Sequence, residues 1–261
     1  MPDNQMPAPE KRKAVYTAIF GDYEGLLPQK EIAGWDLICF TDNPALKAKP
    51  WKIILIDPPV PGDQVRSSRY IKINPHLFLK DYDVSIFIDG NFLVIGNIDK
   101  LVGTMLSDAV IACFDHNQNT LDARDCVYLE HASIKRMAEE RGINKDDPQV
   151  MEKQMAYLRT QHYPEHNGLV YSGVLLRKHH DKRLIKAMED WWYMVKNYSK
   201  RDQLSFDYVM WKHGLAYAVI PGDSRRGNGY FYMLGKHRKN WSGKLRRFKI
   251  KRSLGLVKKH G

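Results

Sequence analysis

Hydrophobic positions in this chain fall in short, nearly unbroken runs, and most runs end abruptly on polar residues. Residues 14–20 stop at Gly21-Asp22-Tyr23, 35–40 at Thr41-Asp42-Asn43-Pro44, and 51–56 at Asp57-Pro58-Pro59. Short apolar runs bounded by Gly, Pro, Asn and Asp predict strands. Three of them in the first sixty residues, with polar carboxyl ends and short connections, predict the opening of an α/β nucleotide-binding sheet. Residues 65–79 predict a helix interrupted at Asn74-Pro75, with Asn74 capping a second short helix. Residues 84–88 predict a strand, 98–106 a helix, and 109–114 a strand ending at Asp115-His116-Asn117. Helical patterns follow over 121–141 and 148–159, then a strand over 169–177, helices over 182–197 and 202–213, and a final strand over 215–220. Residues 221–229, rich in glycine, predict a mobile loop. No repeat or linker divides the chain. The expectation is one α/β domain over 14–235, after a loose lead-in (1–13) and before a tail (236–261).

The stretch 83–94 organises the rest. Its apolar run ends in Asp89-Gly90-Asn91 and resumes at Phe92. An acidic residue at a strand's carboxyl end sits where open α/β sheets bind ligands. Asp89 and Asn91 flank a glycine that lets phosphate and metal approach the backbone, so the two side chains can share a divalent cation. Asp-Gly between hydrophobic runs is also a hairpin signal that needs no metal.

Composition narrows the class. A 261-residue chain with 43% hydrophobic and 11% aromatic residues is globular, and no apolar run approaches the ~18 residues of a membrane span. Residues 1–13 lack the apolar core of a signal peptide. Three widely spaced cysteines in apolar surroundings (Cys39, Cys113, Cys126) fit buried thiols in a cytosolic protein better than disulfides or a zinc site. The net charge of +11 is concentrated at one end. Residues 236–261 hold eleven of the 41 basic residues and no acidic one, leaving 30 basic against 30 acidic elsewhere. The body therefore has no bulk preference for nucleic acid, whereas the tail suits an anionic surface, a polyanion or plain solvation. Trp241, Leu245 and Phe248 fall at helical spacing, but Ile250, Leu254 and Val257 point to the other side, so no clean amphipathic helix is expected.

Arg66, Arg69 and Lys72 fall within about a third of a helix circumference, each three-residue step lagging by ~60°. Such a stripe can neutralise a diphosphate, with Arg as a planar fork and Lys as a point charge, and it can equally be a solvated face. Asp42 can accept from a ribose or base, or shape the Asn-Pro turn. His116, His162 and His166 read as surface histidines, and Trp191-Trp192-Tyr193 as core.

Together these segments resemble the donor-site block of GT-A glycosyltransferases: Arg69-Tyr70-Ile71-Lys72, Pro75-His76-Leu77-Phe78-Leu79, Asp81-Tyr82-Asp83, then Phe87-Ile88-Asp89-Gly90-Asn91. They are most similar to a glycosyltransferase-like family long catalogued only as a domain of unknown function, with bacterial polysaccharide and plant Golgi members, and more distantly to glycosyltransferase family 8. Tyr16-Thr17-Ala18-Ile19-Phe20-Gly21, Cys39-Phe40-Thr41-Asp42, Arg124-Asp125-Cys126-Val127-Tyr128 with Glu130, and the strand over 168–177 extend the likeness across 14–213. It implies a single GT-A-like, Rossmann-type α/β domain with a mixed central sheet flanked by helices. It also implies a hexosyl- or related transferase that moves a sugar from a nucleotide diphosphate donor to a saccharide or lipid-linked glycan. Phe20, Gly21, Asp42, Arg66, Arg69, Lys72, Asp89 and Gly90 would bind the donor, and Mn²⁺ or Mg²⁺ would sit on Asp89, Asn91 (in place of the usual carboxylate) and His237. Tyr171, Ser172, Gly173 and Gln203 would face the acceptor. Arg124, Glu130 and Asp202 would form the catalytic set, either carboxylate serving as base if the reaction inverts. In a retaining reaction the departing phosphate itself can be the base. Physically, sugar–phosphate cleavage builds negative charge on the leaving diphosphate, which a cation and an Arg/Lys cluster stabilise. The expected setting is cytoplasmic, peripheral at the inner membrane face through the basic tail. The rival expectations are a silent GT-A-like domain that binds nucleotide sugar or glycan, suggested by Asn91, and nucleic-acid binding through the tail.

Overall fold

The computed structural model describes residues 12–257; almost all of the expected lead-in lies outside them. Seven strands form one mixed sheet in the order β3-β2-β1-β4-β7-β6-β8, with β1 (Lys13–Ile19), β2 (Asp36–Thr41), β3 (Lys52–Leu55), β4 (Val84–Ile88), β6 (Ile111–Asp115), β7 (Val170–Arg177) and β8 (Ala218–Ile220). β1 runs parallel to β2 and β4, and β6 parallel to β8, while β7 is antiparallel to β4 and β6. The carboxyl ends of β1, β2, β4, β6 and β8 therefore share one edge. The chain leaves β1 towards β2 and β3 and returns on the opposite side to β4, which makes the β1/β4 boundary the topological switch point where such sheets open a crevice.

The runs of β1, β2 and β4 are buried on both faces, whereas the edge strand β3 is only partly covered. In β1, Tyr16 packs with Phe40 and Phe87 beneath one helical layer, while Val15 packs with Cys39 and Ile86 beneath the other. The first layer contains α1 (Gln64–Ile73), α4 (Val127–Arg141), α5 (Pro148–Thr160), α6 (Lys182–Asn197) and α7 (Phe206–Lys212), and the second contains α3 (Ile98–Met105). Caps set the boundaries: Asp63 accepts from Arg66 N to start α1, Asn97 from Lys100 N to start α3, and Asp181 from Arg183 and Leu184 to start α6. Cys39, Cys113 and Cys126 are buried and free.

Several local expectations are corrected. Asn74 holds the N-cap position of the short helix α2 (Pro75–Phe78), its carbonyl accepting from Leu77 N (3.1 Å), but its side chain makes no cap bond there; the amide donates to Tyr70 O and closes α1 instead. The helix expected from Leu121 begins only at Val127, because the preceding polar side chains are spent elsewhere: Asp122 on Arg225, and Asn119 on Ser224. The helix expected over 202–213 is a 3-10 turn (Asp202–Leu204) followed by α7. Trp191 is core, but Tyr193 is exposed, and His116 is buried, not superficial.

A strand absent from the sequence reading, β9 (Phe231–Met233), pairs antiparallel with β5 (Phe92–Val94), so 221–229 connects two sheets. Past β9 the basic segment is not a free arm up to its helix. Residues Ser242–Ser253 form α8, with Trp241 and Phe248 buried against Leu27, Leu93, Ile95, Tyr232 and Leu234. Tertiary packing sustains a helix that its mixed pattern alone would not. Ile250 and Leu254 stay exposed.

Candidate functional site

At the switch point the ends of β1 and β4 wall a cavity of about 150 Å³. Phe20, Tyr23 and Glu24 come from the β1 side, Asp89 and Gly90 from β4, Arg69 from α1, and His237 from the segment after β9. Asp89 is held by position: its N–H donates to Gly173 O (2.8 Å) and its carbonyl accepts from Phe92 N (3.0 Å), which fixes the turn between β4 and β5. Arg69 Nη1 lies 3.9 Å from Asp89 Oδ1 and Arg69 Nε lies 3.3 Å from Asp202 Oδ1. One guanidinium thus spans two carboxylates that would otherwise repel.

Behind Arg69 sits a buried ion pair. Lys72, 1% exposed, places Nζ 2.5 Å from Asp202 Oδ2 and 3.1 Å from Ser172 Oγ, and that hydroxyl donates to Asp202 (3.1 Å). Burial pushes the Asp202 carboxyl up, but Arg69 and Lys72 outweigh it and hold the group well below the usual range. Asp202 is a structural anion, ill suited to accept a proton. Gln203 Nε2 donates to Val170 O (2.7 Å), which leaves its side chain on the β7 backbone.

β7 brings Tyr171, Ser172 and Gly173 alongside Asp89. Its register with β6 shifts between Cys113 and Phe114, an irregularity of the kind that re-aims side chains near sites. The approach is close enough that a Cβ on Gly173 would stand 2.5 Å from the Tyr171 ring and 2.9 Å from Asp89 Oδ2. A Cβ on Gly90 would stand 2.5 Å from Glu24 Oε1. The crowding comes from the Tyr171 ring and the Asp89 carboxylate at Gly173 and from the Glu24 carboxylate at Gly90, and neither glycine has a positive φ.

Glu24, missed in the sequence, is a wall of this cavity. It is 4% exposed and accepts from His237 Nδ1 at 2.7 Å. Burial raises the Glu24 carboxyl, and the bond to His237 pulls against that; His237 is raised, because Glu24 outweighs the cost of its own burial. A sequence separation of 213 hides the pair from any local motif. Further contacts hold the segment in place: Gly25 N donates to Arg238 O, and Trp241 Nε1 to Gly25 O.

Other expected residues lie elsewhere. Arg66 is turned away, its Nε and Nη2 donating to Val195 O and Tyr198 O at the end of α6 (2.9 and 2.8 Å), with Nη1 on Asp63. Asp42 accepts from Gly21 N (3.0 Å), so both shape the turn after β1. Arg124 and Glu130 meet each other (2.7 Å) on the β6 side of the edge. Asn91 donates Nδ2 to Gly235 O (2.7 Å), while its buried Oδ1 has no partner.

Among the described residues no group of three or more His, Cys, Asp or Glu side chains is arranged to hold a metal, and no helix is long and apolar enough to cross a membrane. No protein-family model and no curated protein sequence matches the chain. Among solved structures, similarity is found to the apo form of the bifunctional glycosyltransferase WbbM (12% identity, 82% of this chain, TM-score 0.46) and to apo mouse xyloside xylosyltransferase 1 (12% identity, 80% of this chain and 84% of that one, TM-score 0.40). The chain spans 39% of the length of the first.

Proposed function

We propose that this chain is a nucleotide-sugar-dependent glycosyltransferase of the GT-A kind, with the donor diphosphate seated between Asp89 and Arg69. The observation that carries this reading is the convergence of Asp89, Arg69, Glu24 and His237 on the cavity at the β1/β4 switch point. The cavity is smaller than the roughly 300–1,000 Å³ of typical small-molecule sites, so a donor seated there extends along the sheet edge past Tyr171. Arg69 would take the diphosphate oxygens through its fork, with Lys72 and Asp202 fixing its direction from behind. Phe20 and the turn held by Asp42 would form the nucleoside side. Acceptors would enter beside Tyr171.

A divalent cation, Mn²⁺ or Mg²⁺, would be held chiefly by Asp89 and His237, the two candidate ligands on the cavity wall. Asp89 offers a carboxylate, Asn91 Oδ1 is a buried oxygen without a partner, and His237 shows the pattern of a ligand imidazole whose other nitrogen is tied to a carboxylate, here Glu24. Such a cation would neutralise charge on the departing diphosphate. Asn91 in place of a carboxylate, with its amide spent on Gly235, favours the rival reading of a domain that binds nucleotide sugar without transferring it.

The reading extends to a cytoplasmic protein docked at an anionic membrane face. Exposed Arg246, Arg247 and Lys251 on α8, beside exposed Ile250 and Leu254, support this, each surface cation being worth about 1 kcal/mol near anionic lipid. Nucleotide sugars screened by thermal shift and by hydrolysis, with and without Mn²⁺, test the assignment. Binding with turnover supports a transferase, binding without turnover the silent domain, and no binding removes both.

A further inference from the structure

A second ionic cluster lies across Tyr171 from the donor cavity. Arg124 Nε and Arg201 Nη2 both reach Glu130, at 2.7 and 3.4 Å, and Arg124 Nη2 and Arg225 Nη2 both reach Asp122, at 3.6 and 2.6 Å. Glu130 is 5% exposed and fully engaged, which makes it the anchor of two guanidiniums and not a free base. Three guanidiniums thus share two carboxylates. Lys145 adds to the excess from an exposed position near Arg201, since its neighbour Asp146 accepts from Lys200 N (2.8 Å).

Hydrogen-bond donors are in surplus too. Arg201 Nε is buried without a partner. His116 is 3% exposed, and its Nε2 lies 3.5 Å from Arg124 Nη2, so the neutral ring accepts there and carries its proton on Nδ1, which is also buried and unpartnered. Asp122 Oδ1 beside them is an unpartnered acceptor. Leaving such groups unsatisfied is costly, so their concentration in one place indicates a ligand that satisfies them. Positive charge with free donors suits an anionic group, and the spare carboxylate oxygen suits a sugar hydroxyl. Tyr171 joins this cluster to the donor cavity: its phenol donates to Met233 Sδ (3.6 Å), and Met233 N donates in turn to the Arg225 carbonyl (2.8 Å).

We infer that Arg124, Arg201 and Arg225 bind a sugar bearing a carboxylate or phosphate, presented as acceptor beside Tyr171. The acceptor role rests on the transferase reading; the anion site does not. Calorimetric titration with trigalacturonate, glucose 6-phosphate and neutral maltotriose tests it. At least one anionic probe should bind tenfold or more tightly than maltotriose, and which one binds separates carboxylate from phosphate. Arg225→Gln should weaken that binding at least tenfold, since Arg225 and Asp122 are partly exposed and the fold should survive; Asp89→Ala should leave it unchanged. Should Arg225→Gln lower Tm markedly, Lys145→Gln, at an exposed position, should weaken binding at least threefold. Equal affinity for charged and neutral sugars, or anionic binding indifferent to these arginine and lysine changes, overturns the inference. Anionic binding in a protein that takes no nucleotide sugar removes the acceptor role and leaves the anion site standing.

Discussion

Lys72 Nζ and Asp202 Oδ2 lie 2.5 Å apart with side chains 1% and 6% exposed, and this pair joins α1 to the turn before α7 directly behind the candidate donor site. Ser172 of β7 bonds both partners, so three elements meet at one buried charge pair. Removing one partner leaves the other buried and uncompensated. Lys72→Met should therefore destabilise the protein by about 3–5 kcal/mol in urea unfolding, and Lys72→Met with Asp202→Leu should recover much of that loss. Equal stability of Lys72→Met and the parent would show that the pair is not buried as described.

Gly173→Ala tests the contact between β7 and Asp89. The added methyl would meet Asp89 Oδ2 and the Tyr171 ring, and displacing a group that positions a reacting substrate by about 1 Å can cost ~10²-fold in rate. A drop in kcat of that order, larger than any change in Tm would explain, is expected. Unchanged kinetics would place Gly173 outside the site.

The runs that became β1, β2 and β4 were legible because both faces of each strand are buried, which makes the apolar stretch continuous and its polar end conspicuous. Asp89 and Gly90 were read from those ends, and Arg69 from the helical stripe it shares with Arg66 and Lys72. Arg66 nonetheless turns away from the cavity, since a helical stripe shows which residues share a face but not which of them finds carbonyls on a neighbouring helix, as Arg66 does at Val195 and Tyr198. Glu24 and His237 could not be paired by spacing, and β9 is three residues long within a glycine-rich stretch. Its partner strand and the packing of Trp241 give it form.

Trp241 anchors the basic segment in a pocket that includes Leu27 and Leu234. Trp241→Ala should cost about 3–5 kcal/mol, the range for large aromatic truncations, and should weaken nucleotide-sugar binding by loosening His237. A solvated tail would instead give unchanged chemical denaturation.

Asp207 supplies a pH signature. It is buried, and burial raises its carboxyl to about 6 even though Tyr217 and Val170 donate to it. A folded pKa above the unfolded value means the native state binds the proton more tightly, so this contribution to stability falls as pH rises from about 4 to 6. At ~1.4 kcal/mol per pH unit, Asp207→Asn should gain about 2 kcal/mol relative to the parent between pH 4.5 and 7. A stability difference constant across that range would contradict the assignment.

The central claim is that Asp89 and Arg69 grip the diphosphate of an activated sugar at the β1/β4 crevice. Its most direct measurement is nucleotide-sugar turnover by the parent, Asp89→Ala and Arg69→Ala proteins in Mn²⁺. Turnover should be lost in Asp89→Ala with Tm preserved, and Arg69→Ala should weaken donor binding by the ~1.5–3 kcal/mol of a charge-assisted contact. Turnover undiminished by either change would place the chemistry elsewhere in the molecule.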